Sequence, residues 1–276
     1  MSDDLLVAEN LEVGFGGGGL LRRNPLSTVL HGVSLRIGRG ETVGIVGESG
    51  SGKTTLGRAL LRLLDVARGR ILFEGRDITR VSQAEMRPLR RRMQMIFQDP
   101  MAALNPRHRV GRIVMAPMLH HRVALDLADA RRRVHEIFER FSLPVELLDR
   151  YPHELSGGQR QRVGIARAAL LRPDFVLADE IVSGLDVSTQ AQALNLIKGL
   201  SRDLGLAMAF ISHDLSVVRA ICDRVYVLQA GRIVEEGGCE ALFASPQSAY
   251  TQSLIDAIPL PRIDPGWLAR APGDVV

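Results

Sequence analysis

Lysine is nearly absent from this 276-residue chain: of its 35 basic residues, only Lys53 and Lys198 are lysines. Against that arginine-rich background, a lysine inside a glycine-rich turn stands out. Cysteine is scarce too, and the two present, Cys222 and Cys239, are too few for a four-ligand zinc or iron–sulfur site. In a reducing compartment they are expected as free thiols. Aromatic residues make up 4% of the chain, which leaves little to stack bases, and the formal charge is only +4. The arginine runs at 90–92 and 131–133 are therefore read as solvated helix faces, and no nucleic-acid partner is expected. No apolar run approaches the ~20 residues that a membrane helix needs, and the first residues, MSDDLLVAEN, lack the basic and apolar regions of a signal peptide. A cytoplasmic chain is expected. What is present, 46% hydrophobic residues, suffices for a sizeable core in one large domain or two modest ones.

The most informative stretch is TVGIVGESGSGKTT, Thr42 to Thr55. Gly47, Gly52, Lys53 and Thr54 fill the fixed places of G-x-x-x-x-G-K-[ST], and TVGIV supplies the apolar strand the motif requires before it. Glycines here free the backbone so that the N–H groups of Gly47, Glu48, Ser49, Gly50, Ser51 and Gly52 can converge on phosphates. The following helix start adds its partial positive charge. Lys53 is expected on the β- and γ-phosphates, Thr54 on Mg²⁺, and Thr55 near the α-phosphate.

Around this loop the pattern alternates between strand and helix. Strands are expected at 5–15, 29–37, 70–73, 93–97, 175–178, 207–212 and 225–228, with a further strand after the turn at Ala230-Gly231. Helices are expected at 56–64, 157–172, 188–204 and 215–222, and a proline-punctuated helical insert runs from Asp99 to Arg150. Strands alternating with helices predict an α/β fold with a mostly parallel core sheet. Gly16 to Gly19 lacks a lysine and a strand-to-helix frame, so it reads as a loop.

Two further stretches carry chemistry. Phe175 to Ala178 is an apolar strand ending in Asp179 and Glu180, and the carboxyl edge of such a sheet is where α/β proteins bind ligands. Alone, the pair would read as surface acids; beside the phosphate loop, Asp179 reads as a Mg²⁺ ligand and Glu180 as the group that orients the attacking water. In LSGGQ, Ser156 and Gln159 have the spacing of a capping box, which by itself means only a capped helix.

LSGGQ followed by RQRV resembles the signature of the ATP-binding cassette (ABC) family, and the resemblance extends in order from residue 5 to about 240. It implies a P-loop ATPase with an N-terminal antiparallel β subdomain and a helical signature subdomain at about 99–165, within a nucleotide-binding domain at 1–244. It implies that Gln98 touches Mg²⁺ and the water region, that His213 contacts the γ-phosphate, and that Phe15 stacks on adenine. Taken alone, these would read as a polar strand end, a structural histidine and a core aromatic. Asp186 resembles the family's aspartate at the subunit interface. In this family two cassettes meet head to tail, so Ser156, Gly157, Gly158 and Gln159 would serve the partner's ATP. One departure stands out: the usual Pro-[TV]-S-A-L-D is here Ile181-Val182-Ser183-Gly184-Leu185-Asp186.

QDPMAALNPR, from Gln98, and the tail SPQSAYTQSLIDAIP resemble the dipeptide, oligopeptide and nickel importer ATPases, whose C-terminal extension would occupy 245–276. The resemblance implies a peripheral subunit at the cytoplasmic face of the membrane. It implies three kinds of partner: a second ATPase subunit (self or paralogue), permease subunits docking on the insert, and indirectly an extracytoplasmic solute-binding protein. The alternatives are a soluble cassette ATPase such as those of phosphonate degradation, and a DNA-repair or chromosome cassette. Against the last stands the absence of a long coiled-coil insertion.

Overall fold

The structure is a computed structural model that describes residues 4–16, 27–184 and 186–258. The glycine-rich loop from residue 17 on, Leu185, and the tail from 259 on lie outside the described residues.

The chain begins with β1 (Asp4–Phe15) and β2 (Ser27–Gly38), which pair antiparallel. Buried Leu6, Ala8, Leu11 and Val13 share the inner face of β1, and Asn10, with φ of 50°, marks the register shift between Ala8 and Leu11. After β3 (Thr42–Val46) and α1 (Lys53–Leu60), β4 (Arg68–Phe73) and β5 (Arg76–Asp77) complete a four-stranded sheet in the order β2-β1-β4-β5. This sheet is antiparallel throughout, the β subdomain that the family resemblance implies.

Then come α2 (Gln83–Arg92) and β6 (Met93–Ile96). The insert is helical as expected: α3 (Pro100–Ala103), α4 (Val110–His120) and α5 (Leu127–Arg140), two short 3₁₀ turns, and α6 (Gly157–Ala169). In α5, Asp126 caps the first turn and buried Ala130, Val134 and Phe138 recur every four residues, which places one apolar stripe against the core. The core continues through β7 (Phe175–Asp179), α7 (Val187–Leu204), β8 (Ala207–Ile211), α8 (Leu215–Ile221), β9 (Arg224–Gln229) and β10 (Arg232–Gly238). Two short helices, α9 (Cys239–Ala244) and α10 (Ala249–Asp256), follow. No spacing argument had placed α9.

The second sheet has six strands in the order β10-β9-β3-β8-β7-β6. Five run parallel, and β10 returns antiparallel through Ala230 and Gly231, both at positive φ (45° and 75°). Central strands β3, β7 and β8 are buried on both faces, which explains their unbroken apolar runs. Register is what places the site. Ile45 lies level with Ile211, Ile211 with Asp179, and Ala178 with Ile96. Four adjacent carboxyl ends therefore emerge on one edge.

The arginine run at 90–92 is not simply a solvated face. Arg90 is half-buried and donates to the carbonyls of Leu61 and Arg62 behind α1, while Arg92 pairs with Glu74 and Asp174. Among the described residues no helix is long and apolar enough to cross a membrane.

Candidate functional site

The residues after β3 form a tight loop into α1. Gly47 sits at φ of 147° and Gly52 at 105°. A Cβ on Gly47 would lie 2.1 Å from the carbonyl oxygen of Leu228, so backbone from β9 occupies the space a side chain would need. Lys53 is only 5% exposed, and its ammonium folds back to donate to the carbonyls of Gly47 and Glu48, both at 2.7 Å. Burial pushes its pKa down, partly offset by the negative charges of Glu180, Asp179 and Glu48. The other end of the loop is fixed from the last hairpin, where Gly231 N–H donates to Ser51 O at 2.9 Å.

Asp179, the last residue of β7, is 4% exposed, and the Thr54 hydroxyl donates to its Oδ1 at 3.2 Å. Burial raises its pKa, against the lowering effect of the Thr54 hydrogen bond. Glu180, one residue further, adopts φ of 47°, a left-handed conformation that costs a non-glycine residue about 1 kcal/mol or more. It is held there because its N–H donates to Ile211 O (3.0 Å) and its carbonyl accepts from Ser183 N–H (3.1 Å). The turn aims its carboxylate between two side chains from the neighbouring strand ends. Gln98 Nε2 donates to Oε2 at 3.0 Å, and His213 Nδ1 lies 3.5 Å from Oε1.

This arrangement suits a nucleoside triphosphate with Mg²⁺. The first turn of α1 has no side-chain cap, so its N–H groups remain for an anion. Ser51 Oγ, buried within the loop, has no hydrogen-bond partner. Thr54 and Asp179 together present hard oxygen donors, the chemistry Mg²⁺ prefers, and it usually keeps phosphate oxygens as further ligands. No cluster of three or more His, Cys, Asp or Glu able to hold a metal occurs among the described residues.

The remaining expected residues lie elsewhere. Phe15 ends β1, 48% exposed, beside Ser27. Ser156 caps α6 in a complete box: Gln159 N–H donates to Ser156 Oγ (3.2 Å) and Ser156 N–H to Gln159 Oε1 (2.9 Å). Among the described residues nothing accepts from the N–H groups of Gly157 and Gly158. Asp186 caps α7, accepting from Thr189 N–H (2.9 Å) and Thr189 Oγ1 (2.7 Å). Thr189 in turn fills the space over Gly158, where a Cβ would meet its Cγ2 at 2.8 Å. In the altered loop, Ile181 and Val182 are buried and Gly184 takes φ of 76°, so this sequence uses its glycine. Motif spacing missed the supports of the loop, Gly231 and Tyr250, because both approach it from the far end of the chain.

Known proteins resemble this chain over most of its length. The family described as ABC transporter matches residues 30–183. The oligopeptide transport ATP-binding protein AmiF of Streptococcus pneumoniae is 47% identical over 262 residues, 95% of this chain and 83% of its own length. The oligopeptide transport ATP-binding protein OppF of Bacillus subtilis is 48% identical over 233 residues, 84% of this chain and 76% of its own. A solved ATP-binding cassette, dimeric in a post-hydrolysis state bound to ADP and Pi, superposes with a TM-score of 0.76 at 28% identity, covering 85% of this chain and 98% of that one.

Proposed function

The chain belongs to the ABC transporter family and is an ATPase, and from that premise we propose that it powers a bacterial importer of peptides or a related small solute. The observation that carries the chemistry is the Glu180 carboxylate, hydrogen-bonded by Gln98 and with His213 3.5 Å from its other oxygen, beside Thr54 and the buried Lys53 and Asp179. A carboxylate anchored by a hydrogen bond orients water better than a free one. Glu180 takes the proton of the attacking water, and His213 and Gln98 set its direction. Lys53 and the loop's amides from Ser49 to Thr55 bind the phosphates, while the Glu48 N–H is taken by the Tyr250 hydroxyl. Thr54, Asp179 and Gln98 would hold Mg²⁺, which when bound would neutralise phosphate charge. Phe15 stacks on the base.

Ser156, Gly157, Gly158 and Gln159 address the ATP of a second subunit, self or paralogue, with Asp186 at the same interface. The free amides of Gly157 and Gly158 support that reading, because a helix start facing phosphate completes a charge-stabilising site when two cassettes close. Permease subunits dock on the helical insert, and a solute-binding protein works on the opposite side of the membrane. The subunit thus sits at the cytoplasmic face as a peripheral component. The relatives named for oligopeptide transport favour this over a soluble non-transport complex. Co-purification from detergent-solubilised membranes is expected to retrieve two permeases with the chain. Recovery with soluble partners alone would sink the transport reading.

A further inference from the structure

The geometry points to Tyr250 as a positioning residue that holds the phosphate loop in its binding shape, which makes the segment after Ser245 a working part of the nucleotide site. The inference rests on residues 47–55 being that site. It begins with one contact across 202 positions of sequence: Glu48 N–H donates to the Tyr250 hydroxyl at 3.0 Å.

Tyr250 is not loosely hung. It lies in the first turn of α10, where Ser248 caps the helix by accepting from Tyr250 N–H (3.3 Å). Glu235 of β10 accepts from the N–H groups of Gln247 (2.8 Å) and Ser248 (2.9 Å), tying the start of α10 to the last strand. Thr251 is 1% exposed, and the Tyr250 ring packs on the main core with Leu254, Ile255 and Ile258. The hydroxyl is therefore presented from a fixed base.

The loop is held from that same base at its other end. Gly231, whose N–H donates to Ser51 O, forms the turn into β10, the strand that carries Glu235. Between these anchors Glu48, Ser49 and Gly50 are exposed. The Glu48 residue is gripped on both sides, its N–H by Tyr250 and its carbonyl by Lys53. Because Glu48 is exposed, water would satisfy its N–H if Tyr250 were absent, so burial does not demand this bond. Its effect is to restrict an exposed turn that otherwise has to be ordered when phosphates bind, and such preorganisation appears as affinity.

Tyr250→Phe keeps the packed ring and removes only the acceptor. In the full-length, nucleotide-free chain, hydrogen exchange at the Glu48 amide is expected to quicken about 10-fold. Calorimetry is expected to show ATP and ADP binding weakened about 3- to 10-fold, the range one net hydrogen bond supplies, with KM for ATP raised and kcat kept. Gln252→Ala, on the exposed side of the same helix, is expected to change none of these. Ending the chain at Ala244 is expected to produce the same loss or a larger one. Wild-type affinity and exchange in Tyr250→Phe would overturn the inference, as would a fall in melting temperature with affinity unchanged, which marks a merely structural role. Lys53→Ala separates the two levels. If it abolishes binding while Tyr250→Phe does nothing, only the role of Tyr250 fails; if neither matters, the nucleotide site itself has been misassigned.

Discussion

The phosphate loop and the signature segment are both glycine-rich entries to helices, yet the chain builds them differently. At the loop, Ser51, Gly52 and Lys53 are buried, and the groups that hold the turn come from distant parts of the sequence, Leu228, Gly231 and Tyr250 among them. At the signature, Ser156 and Gly157 are exposed, and among the described residues the side chains of Ser156 and Gln159 bond to the backbone of their own turn. One helix start is shaped by tertiary structure to receive an anion; the other is a stable cap whose two glycine amides meet no acceptor among the described residues. The same local sequence device gives an enclosed loop where the fold packs around it and an open cap where it does not, and on the proposed function each is one half of a nucleotide site.

The largest effect should come from the enclosed half. Glu180→Gln retains the hydrogen-bonding shape but cannot take a proton, so hydrolysis is expected to fall about 10²- to 10⁴-fold with ATP affinity kept. Phosphate release reports the first, and size-exclusion chromatography with ATP should show a dimer accumulating. That dimer would show that the signature half is engaged before chemistry. Hydrolysis at the wild-type rate would remove Glu180 as the base. Lys53→Ala is expected to act one step earlier. Each charge-assisted bond is worth about 1.5–3 kcal/mol, so nucleotide affinity should drop by about 10- to 100-fold in the isolated chain.

The signature half should respond in the opposite way. An alanine at Gly158 brings its Cβ against Thr189 Cγ2 and shifts the start of α6 relative to that of α7. Nucleotide affinity of the single chain is expected to be unchanged, while turnover in the assembled complex falls by about 10-fold. Adding Thr189→Ser removes the obstructing methyl and should restore part of the rate. Reduced affinity in the single chain would erase the division between the halves.

How far the sequence carries this division depends on which contacts are local. The phosphate loop, the acidic pair and the capping box are each written within a few consecutive residues, and the structure places them in the elements their spacing predicts. The grouping of Gln98, Glu180 and His213 needed more: it follows from the order β3-β8-β7-β6 and from a register that motifs do not encode. Arg90 and Arg92 read as solvent-facing because a charge run is normally hydrated, but here they serve the end of α1 and the carboxylates of Glu74 and Asp174. Tyr250 was least legible of all. An aromatic in a tail gives no hint that its hydroxyl lies against residue 48.

A smaller pair of substitutions sharpens the contrast through stability alone. At Asp179, burial raises the carboxyl pKa, so the fold binds this proton more tightly than the unfolded chain does. By linkage, stability is lost as pH rises through the folded pKa, and above it the ionised group burdens the nucleotide-free fold. Asp179→Asn removes that burden and can still accept from Thr54, so the variant should melt higher than the wild type while losing hydrolysis. As pH falls and the wild-type carboxyl becomes protonated, the gap should close. Ser156→Ala should have the opposite sign. It breaks the capping box of α6 and costs about 1 kcal/mol, with no site strain to relieve. Calorimetric melting of both variants across pH decides the matter: equal signs would mean that the phosphate site is no more strained than an ordinary helix cap, and opposite signs that the chain gives up stability to build the half its fold encloses.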